Sequence, residues 1–371
     1  MDDSRYQVRA YRPEDRRAVA DLVECLYHGE ASRRLATLRW KYESNPYVSS
    51  PPACVVDYPD RSAPRGIPPV VGFLGLTVMR FACEGQQLLV RSPGDAAVHP
   101  DHRRRGILTE MTRWSRRQVQ GSFPLYLTTT ANRQSLPAAL GAGYFPLASG
   151  VSLCHSTASG LERYLLAKRR GQGSSETRTL LDLCGSDKLP HSEAIRVEQA
   201  PRPDAMAALA ADHPGTAKRI RLVQDTAFFQ WRYGNPLGKY VFLFQEARGR
   251  PVGYLVLGLG RNPQRAHILD YGADPEATLS LVRYVIRSRL AGILSVPLWG
   301  LDCELASNLT KLGFGQGGPA GWLVNHGPRH DLPILVRPGS ELPVAEDWFV
   351  DGVDVRHPGN WCLKPIVSDA A

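Results

Sequence analysis

The sequence predicts a mixed α/β fold built twice over, and three observations carry it. Apolar patterns follow the order strand, helix, helix, three strands, then a strand running into a long helix. A tryptophan-centred motif occurs twice, 191 residues apart (231 − 40). A strand ending at Val98 passes through an arginine-rich turn directly into a helix. Together they describe a sheet with helices on its faces, made once by each half of the chain.

The elements follow in order. Tyr6–Tyr11 alternates as a strand, and Pro13-Glu14-Asp15 opens a helix whose Val19, Leu22, Val23 and Leu26 recur at helical spacing. A second helical stretch lies near Arg33–Trp40, and Asn45–Pro52 is a loop. Strands are predicted at Ala53–Val56 and Val70–Met79, parted by the turn formers of Pro59–Pro69. A strand pair about Gly85-Gln86 and a strand Asp95–Val98 lead to helix Ile107–Val119. Strand Leu125–Thr130, a short helix near Leu136–Leu140 and a last strand, Tyr144–Leu153, complete the first unit. Helix Leu161–Lys168 begins a linker whose Lys168–Glu176 stretch is rich in Gly, Ser, Lys and Arg, as a flexible joint is. The expected organisation is residues 1–155, a helical linker 156–194, and a second unit, 195–371.

Composition narrows the class. A chain of 371 residues with 43% hydrophobic content has material for two cores. No apolar run approaches the roughly 20 residues that span a bilayer. Met1–Arg5 lacks the layout of a secretory signal. A cytoplasmic protein with no membrane partner is expected. The seven cysteines are scattered, without a CxxC pair or zinc-site spacing, so reduced thiols and no metal are expected. The net charge of +9 comes from dispersed arginines such as Arg16-Arg17 and Arg116-Arg117, without interleaved aromatics. No nucleic-acid partner is expected from that pattern; a small polyanion needs only one local basic loop.

The repeat is the main internal feature. Trp40-Lys41-Tyr42-Glu43-Ser44-Asn45-Pro46 matches Trp231-Arg232-Tyr233-Gly234-Asn235-Pro236 in the pattern Trp-[Lys/Arg]-Tyr followed by Asn-Pro. Each copy precedes a Val-Gly strand, at Val71-Gly72 and Val252-Gly253. Downstream, Gly143-Tyr144 parallels Gly313-Phe314, each closing a short helix. Two echoes in the same order indicate duplication of one fold.

The chemistry-bearing segment is Asp95-Ala96-Ala97-Val98-His99-Pro100-Asp101-His102-Arg103-Arg104-Arg105-Gly106-Ile107-Leu108. Gly106 allows close backbone approach to a ligand, having no Cβ. The unbonded N–H groups opening the following helix, with its positive dipole end, suit a pyrophosphate. This stretch resembles motif A of the GNAT superfamily, Val-x-Pro-x-x-[Arg/Gln]-x-x-Gly-x-[Gly/Ala], at Val98, Pro100, Arg103 and Gly106. Leu108 departs from it, and a larger residue there is similar to enhanced-intracellular-survival-type members.

The resemblance implies acyl-CoA, acetyl-CoA first, as co-substrate. The Val98 backbone would hold the pantetheine arm, and Arg103, Arg104, Arg105, Gly106, Ile107 and Leu108 the pyrophosphate. It also implies a mostly antiparallel twisted sheet whose fourth and fifth strands splay apart to admit the cofactor. Asn132, just after the fifth strand, would touch the cofactor. The Asn-x-x-Ser-x-Pro run at Asn132–Pro137 and the Trp motifs resemble a tandem-domain branch found near polysaccharide and natural-product genes. Asp347–Asp354 resembles that branch's closing segment.

The implied activity is acyl transfer to a primary amine of a small molecule such as an aminosugar or natural product. Two alternatives stay open: S-acyl transfer to an acyl carrier protein or thioester decarboxylation, and a non-catalytic CoA-binding scaffold. Amide formation needs a base for the amine and a proton for the leaving thiolate. Many GNAT enzymes carry a Tyr where this chain has Ala139. Ser135 and Tyr144 stand nearby as candidates, and read first as a helix cap and a core aromatic. Asp95 is the carboxylate of the fourth strand. Strict alternation puts it on the opposite face from Val98, and a bulge would reverse that. His99 is a second candidate base. Trp40 and Tyr42 either wall the acceptor pocket or belong to the core. In the second copy Asp274 and Glu276 stand where a pyrophosphate would bind, so no CoA is expected there.

Overall fold

The computed structural model describes residues 6–24, 31–58, 70–118, 123–129, 131, 135–170, 194–211, 220–260, 262, 264–272, 275–301, 303–325 and 333–367. The first half opens with β1 (Gln7–Ala10), α1 (Arg16–Glu24) and α2 (Ala31–Leu38), then a single π-helical turn, Arg39–Glu43. β2 (Ala53–Asp57), β3 (Val70–Cys83) and β4 (Gln86–Val98) form an antiparallel run. The three separate strand predictions between Val70 and Val98 merge into one long hairpin. It turns at Glu84-Gly85, both with positive φ. Helix α3 (Ile107–Arg117), β5 (Leu125–Thr128), α4 (Leu136–Gly141) and β6 (Phe145–Ala148) follow.

Both faces of this sheet are covered. Val19, Leu22, Leu38 and Tyr42 pack on Phe73 and Ala97 from the α1–α2 side. Ile107 and Met111 of α3 pack on Val56, Leu74 and Tyr126 from the other. β4 and β5 run parallel but pair only at Val90–Leu125 and Arg91–Tyr126. Beyond that point they part, leaving a gap beside the N-terminus of α3.

The chain then crosses over. A single strand Tyr144–Leu153 is expected; instead β6 stops at Ala148 and β7 (Ser152–His155) joins a second sheet. After α5 (Ala158–Arg170) that sheet is built from β8 (Ile195–Glu198), β10 (Tyr240–Ala247), β11 (Arg250–Leu259), β12 (Arg265–Gly272) and β13 (Ile293–Pro297). Helices α6 (Pro203–Ala211), α7 (Thr226–Tyr233), α8 (Pro275–Arg287), α9 (Cys303–Lys311) and α10 (Gly318–Asn325) complete this half, with β9 (Ile220–Leu222) pairing to β3. Finally β14 (Ile334–Pro338) returns to the first sheet between β5 and β6.

The first sheet therefore runs β1-β2-β3-β4-β5-β14-β6, and the second β8-β10-β11-β12-β13-β7. A bridge from Cys154 to Gly315 extends the second at the position β6 holds in the first. Each sheet carries, beside its splayed strand, one strand from the opposite half.

Arg337 fastens the returning strand. Its side chain is 1% exposed and donates to the carbonyls of Ala142, Pro338, Ser340 and Glu341 at 2.7–2.9 Å. A planar guanidinium can serve so many carbonyls at once; an alkyl chain cannot. Arg337→Met is expected to lower unfolding stability by about 3 kcal/mol, as buried acceptors lose a charged donor. Denaturant unfolding checks this, and an unchanged midpoint would remove Arg337 from this role.

The repeated motif meets itself. Trp40 and Trp231 stack with centroids 5.6 Å apart and planes 20° off parallel. Trp40 Nε1 donates to the Trp231 carbonyl at 2.5 Å, and Trp231 Nε1 to the Trp40 carbonyl at 3.0 Å. Such i-to-j and j-to-i contact is the mark of a local two-fold relation.

Candidate active site

The loop from His99 to Gly106 is shaped by local constraints. The His99 N–H bonds the Val71 carbonyl, and Pro100–His102 forms a tight turn. Arg104 and Gly106 both adopt left-handed backbone, with φ of 61° and 76°. Gly106 sits at the N-cap of α3 without a capping side chain. The first helical bond is Glu110 N–H to the Gly106 carbonyl. The N–H groups ahead of it therefore face an open loop at the positive end of the helix. A Cβ added to Gly106 would meet nothing within 4 Å. Space for an anion exists where the spare donors point.

Arg103, Arg104 and Arg105 are exposed around this cradle, and Arg103 Nε donates to the Val98 carbonyl at 3.3 Å. Leu108 is 37% exposed on the first turn of α3, so its bulk extends to solvent rather than into the core. Ile107 turns inward and is buried. Thus Val98 and Arg103 to Leu108 gather beside the β4–β5 gap. Asn132 lies outside the described residues.

Asp95 stands on the other face of the same strand. The β3–β4 register slips by one residue opposite Leu74, and Asp95 has φ 47°. The anticipated bulge is present, but it does not bring Asp95 to the Val98 face. Its side chain turns toward α1–α2, where Lys41 Nζ and the Tyr42 hydroxyl both donate to Oδ2, at 2.8 and 2.7 Å. The side chain remains 44% exposed, with Oδ1 directed to no donor among the described residues. Burial opposes ionisation here. The Lys41 charge and the two bonds outweigh it, holding the carboxyl below its ordinary range.

Lys41 was not legible as a site residue, although the Trp-[Lys/Arg]-Tyr repeat marks it. The residue that permits the arrangement is Gly75. A Cβ there would lie 2.2 Å from the Tyr42 ring and hydroxyl, so the ring rests flat on bare backbone. Gly75→Ala is expected to push Tyr42 off Asp95 and cost about 2 kcal/mol of stability, as overpacking does. Thermal unfolding of Gly75→Ala beside Tyr42→Phe would separate the steric effect from the lost bond.

The remaining candidates lie apart from this carboxylate. Ser135 caps α4 by position, with no side-chain bond to the helix N–H groups. Tyr144 joins the apolar cluster beneath α3, and burial raises its hydroxyl pKa. His99 keeps its ring against His102 in the loop that leads to α3. In the second half, Asp270 is fully buried, accepting from Gln224 and Tyr254 and lying 3.4 Å from Lys364. β12 ends at Gly272 and α8 starts at Pro275, with Glu276 in its first turn; Asp274 lies outside the described residues. Among the described residues no group of three or more His, Cys, Asp or Glu could hold a metal, and no helix is long and apolar enough to cross a membrane.

The parted strands, the left-handed loop and the open helix N-terminus are arranged as in the GNAT fold. Residues 7–122 match the family model for an acetyltransferase (GNAT) domain. No curated protein matches the chain. Among solved structures, it is similar to a conserved protein of unknown function from Enterococcus faecalis, described as a probable N-acyltransferase. That match has a TM-score of 0.57 at 12% identity, over 90% of this chain and 72% of the other. It is also similar to a GCN5-related N-acetyltransferase from Anabaena variabilis, with a TM-score of 0.53 at 12% identity over 91% and 73%. Saccharomyces cerevisiae N-myristoyltransferase with bound myristoyl-CoA gives 0.52 at 12% identity over 85% and 78%. At such identity these likenesses speak for the fold.

Proposed function

We propose that this protein is an acyl-CoA-dependent N-acyltransferase, moving an acetyl or related acyl group to a primary amine of a small molecule. An aminosugar or an aminated natural product is the class of acceptor meant. The observation that carries the proposal is the open, left-handed Arg104–Gly106 loop at the N-terminus of α3, beside the gap between β4 and β5.

Acyl-CoA would supply the activated thioester. The loop N–H groups and Arg103–Arg105 would hold its pyrophosphate, and Val98 would line the arm's path through the gap. Ionised Asp95, on the far side of the sheet, presents Oδ1 to an incoming ammonium. Its depressed pKa suits holding a cation better than removing a proton, because a strong base needs a pKa nearer the working pH. Asp95 therefore orients the acceptor ammonium, which gives one proton to solvent so that the neutral amine attacks the thioester carbonyl. A second proton leaves the nitrogen as the amide forms, and the departing thiolate takes one up, with Ser135 a candidate to relay it.

The reading treats residues 1–155 as the acyl-CoA-binding unit, 156–194 as a linker and 195–371 as a second unit that supports it without binding CoA. Glu276 in the first turn of α8 favours that division of labour. Acetyl-CoA titration by calorimetry tests the cofactor site, and an amine panel read by product mass tests the reaction. One saturable equivalent and a mass gain on a free amine support the proposal. Acyl transfer only to a carrier protein would replace it with the S-acyl reading. Absence of any acyl-CoA binding would leave a scaffold.

A further inference from the structure

Trp40 belongs to the π-helical turn that delivers Lys41 and Tyr42 to Asp95. That turn is closed by a bond from the Ser44 N–H to the Arg39 carbonyl, spanning five residues. π turns are rare because they carry one residue more than an α turn, and they persist where surroundings hold them. Relaxing this one would rotate Lys41 and Tyr42 by about one residue's angle, roughly 100°. Both donors would then leave the carboxylate.

The turn is held at two ends. Glu43 accepts from the Tyr11 hydroxyl at 2.7 Å and pairs with Arg16, both in the first half. Trp40 is gripped from the second half by the reciprocal bonds and stacking with Trp231. The Arg232 guanidinium adds a contact 5.8 Å from the Trp40 ring centroid, and is itself fixed by its Nε bond to the Ile366 carbonyl.

We infer that Trp231 is a positioning residue for the acceptor site. It acts across the junction between halves by holding the turn that orients Lys41 and Tyr42 on Asp95. The inference rests on the function proposed above for Asp95, but it concerns a geometry that can be read without turnover. A second contact across the same junction, Tyr47 hydroxyl to Asp225 at 3.0 Å, does not touch this turn and serves as comparison.

The experiment compares Trp231→Phe, which keeps a stacking ring but loses the indole donor, with Tyr47→Phe, in the full chain. Carbon-detected NMR of labelled carboxylates, with Asp95 assigned through Asp95→Asn, reads the site directly. In Trp231→Phe the Asp95 midpoint should move up by about one pH unit. Acetyl-CoA affinity should stay at the wild-type value. Where an amine substrate has been found, its KM should rise about fivefold, the effect of one net hydrogen bond. Tyr47→Phe should leave the Asp95 midpoint in place. Unfolding of both variants is monitored, and if Trp231→Phe fails to fold, Trp40→Phe removes the reciprocal bond and is read the same way.

An unmoved Asp95 midpoint in Trp231→Phe overturns the inference. So does an equal shift in Tyr47→Phe, which would mean general loosening between halves. If no amine is acylated by the wild type, the functional reading fails while the titration still decides the role of Trp231.

Discussion

Gly106→Glu should weaken acetyl-CoA binding at least a hundredfold, about 2.7 kcal/mol at 25 °C, with little loss of fold. The two halves of this expectation have separate causes. Gly106 sits at φ 76°, so any side chain there carries a strain of roughly 1 kcal/mol. Its Cβ, however, would enter empty space, so nothing in the protein must move. The added carboxylate would occupy that space and bring a negative charge to N–H groups suited to a phosphate. Gly106→Ala should carry the same strain with only a modest loss of affinity. Calorimetric titration of both variants beside the wild type checks the pair. Equal affinity in Gly106→Glu and wild type would move the cofactor elsewhere.

Asp95→Asn should reduce kcat/KM for the amine about a hundredfold, the scale of removing one positioned charged group from a reaction site. Acetyl-CoA affinity should not change, because the carboxylate lies on the far side of the sheet from the loop. The substitution also leaves Lys41, whose side chain is 7% exposed, facing a neutral amide in place of a carboxylate. That should cost about 2 kcal/mol of stability, less than for a fully enclosed pair because Asp95 is 44% open. The pH sign follows from the depressed folded pKa. The pair's contribution is complete above the ordinary carboxylate pKa and fades as pH falls through the lower folded value. The variant should lack that acid dependence. Denaturant unfolding from neutral to acid pH would show the two curves converging at the acid end; parallel curves would refute the pairing.

The shape of the loop between Val98 and Ile107 was legible because it is set locally. Val98, Pro100, Arg103 and Gly106 are near in sequence, and glycine before a helix says what the backbone does. The direction of Asp95 stayed open between alternation and a bulge, because a bulge leaves no composition signal; the bulge is present, yet Asp95 takes the face that alternation gives. Its partners were harder still. Lys41 and Tyr42 reach it only because Gly75, on another strand, leaves room. The Trp repeat was read as a duplication, and nothing in it foretold that Trp40 and Trp231 would meet. The single strand expected over Tyr144–Leu153 failed for a related reason. Apolar alternation reports that a strand is half-buried, and says nothing of which sheet receives it.

The exchange of β7 and β14 has a consequence for how the protein is made. On a ribosome, β5 emerges long before residues 334–338, yet its outer edge is closed only by β14. Until then the N-terminal sheet exposes an unpaired row of backbone groups, the kind of edge that recruits other chains. The first half must therefore wait for almost the whole polypeptide before it is sealed. Synthesis of truncated chains ending before Ile334 should yield aggregation-prone product, and the shielding of that edge becomes a task for the cell rather than for the fold.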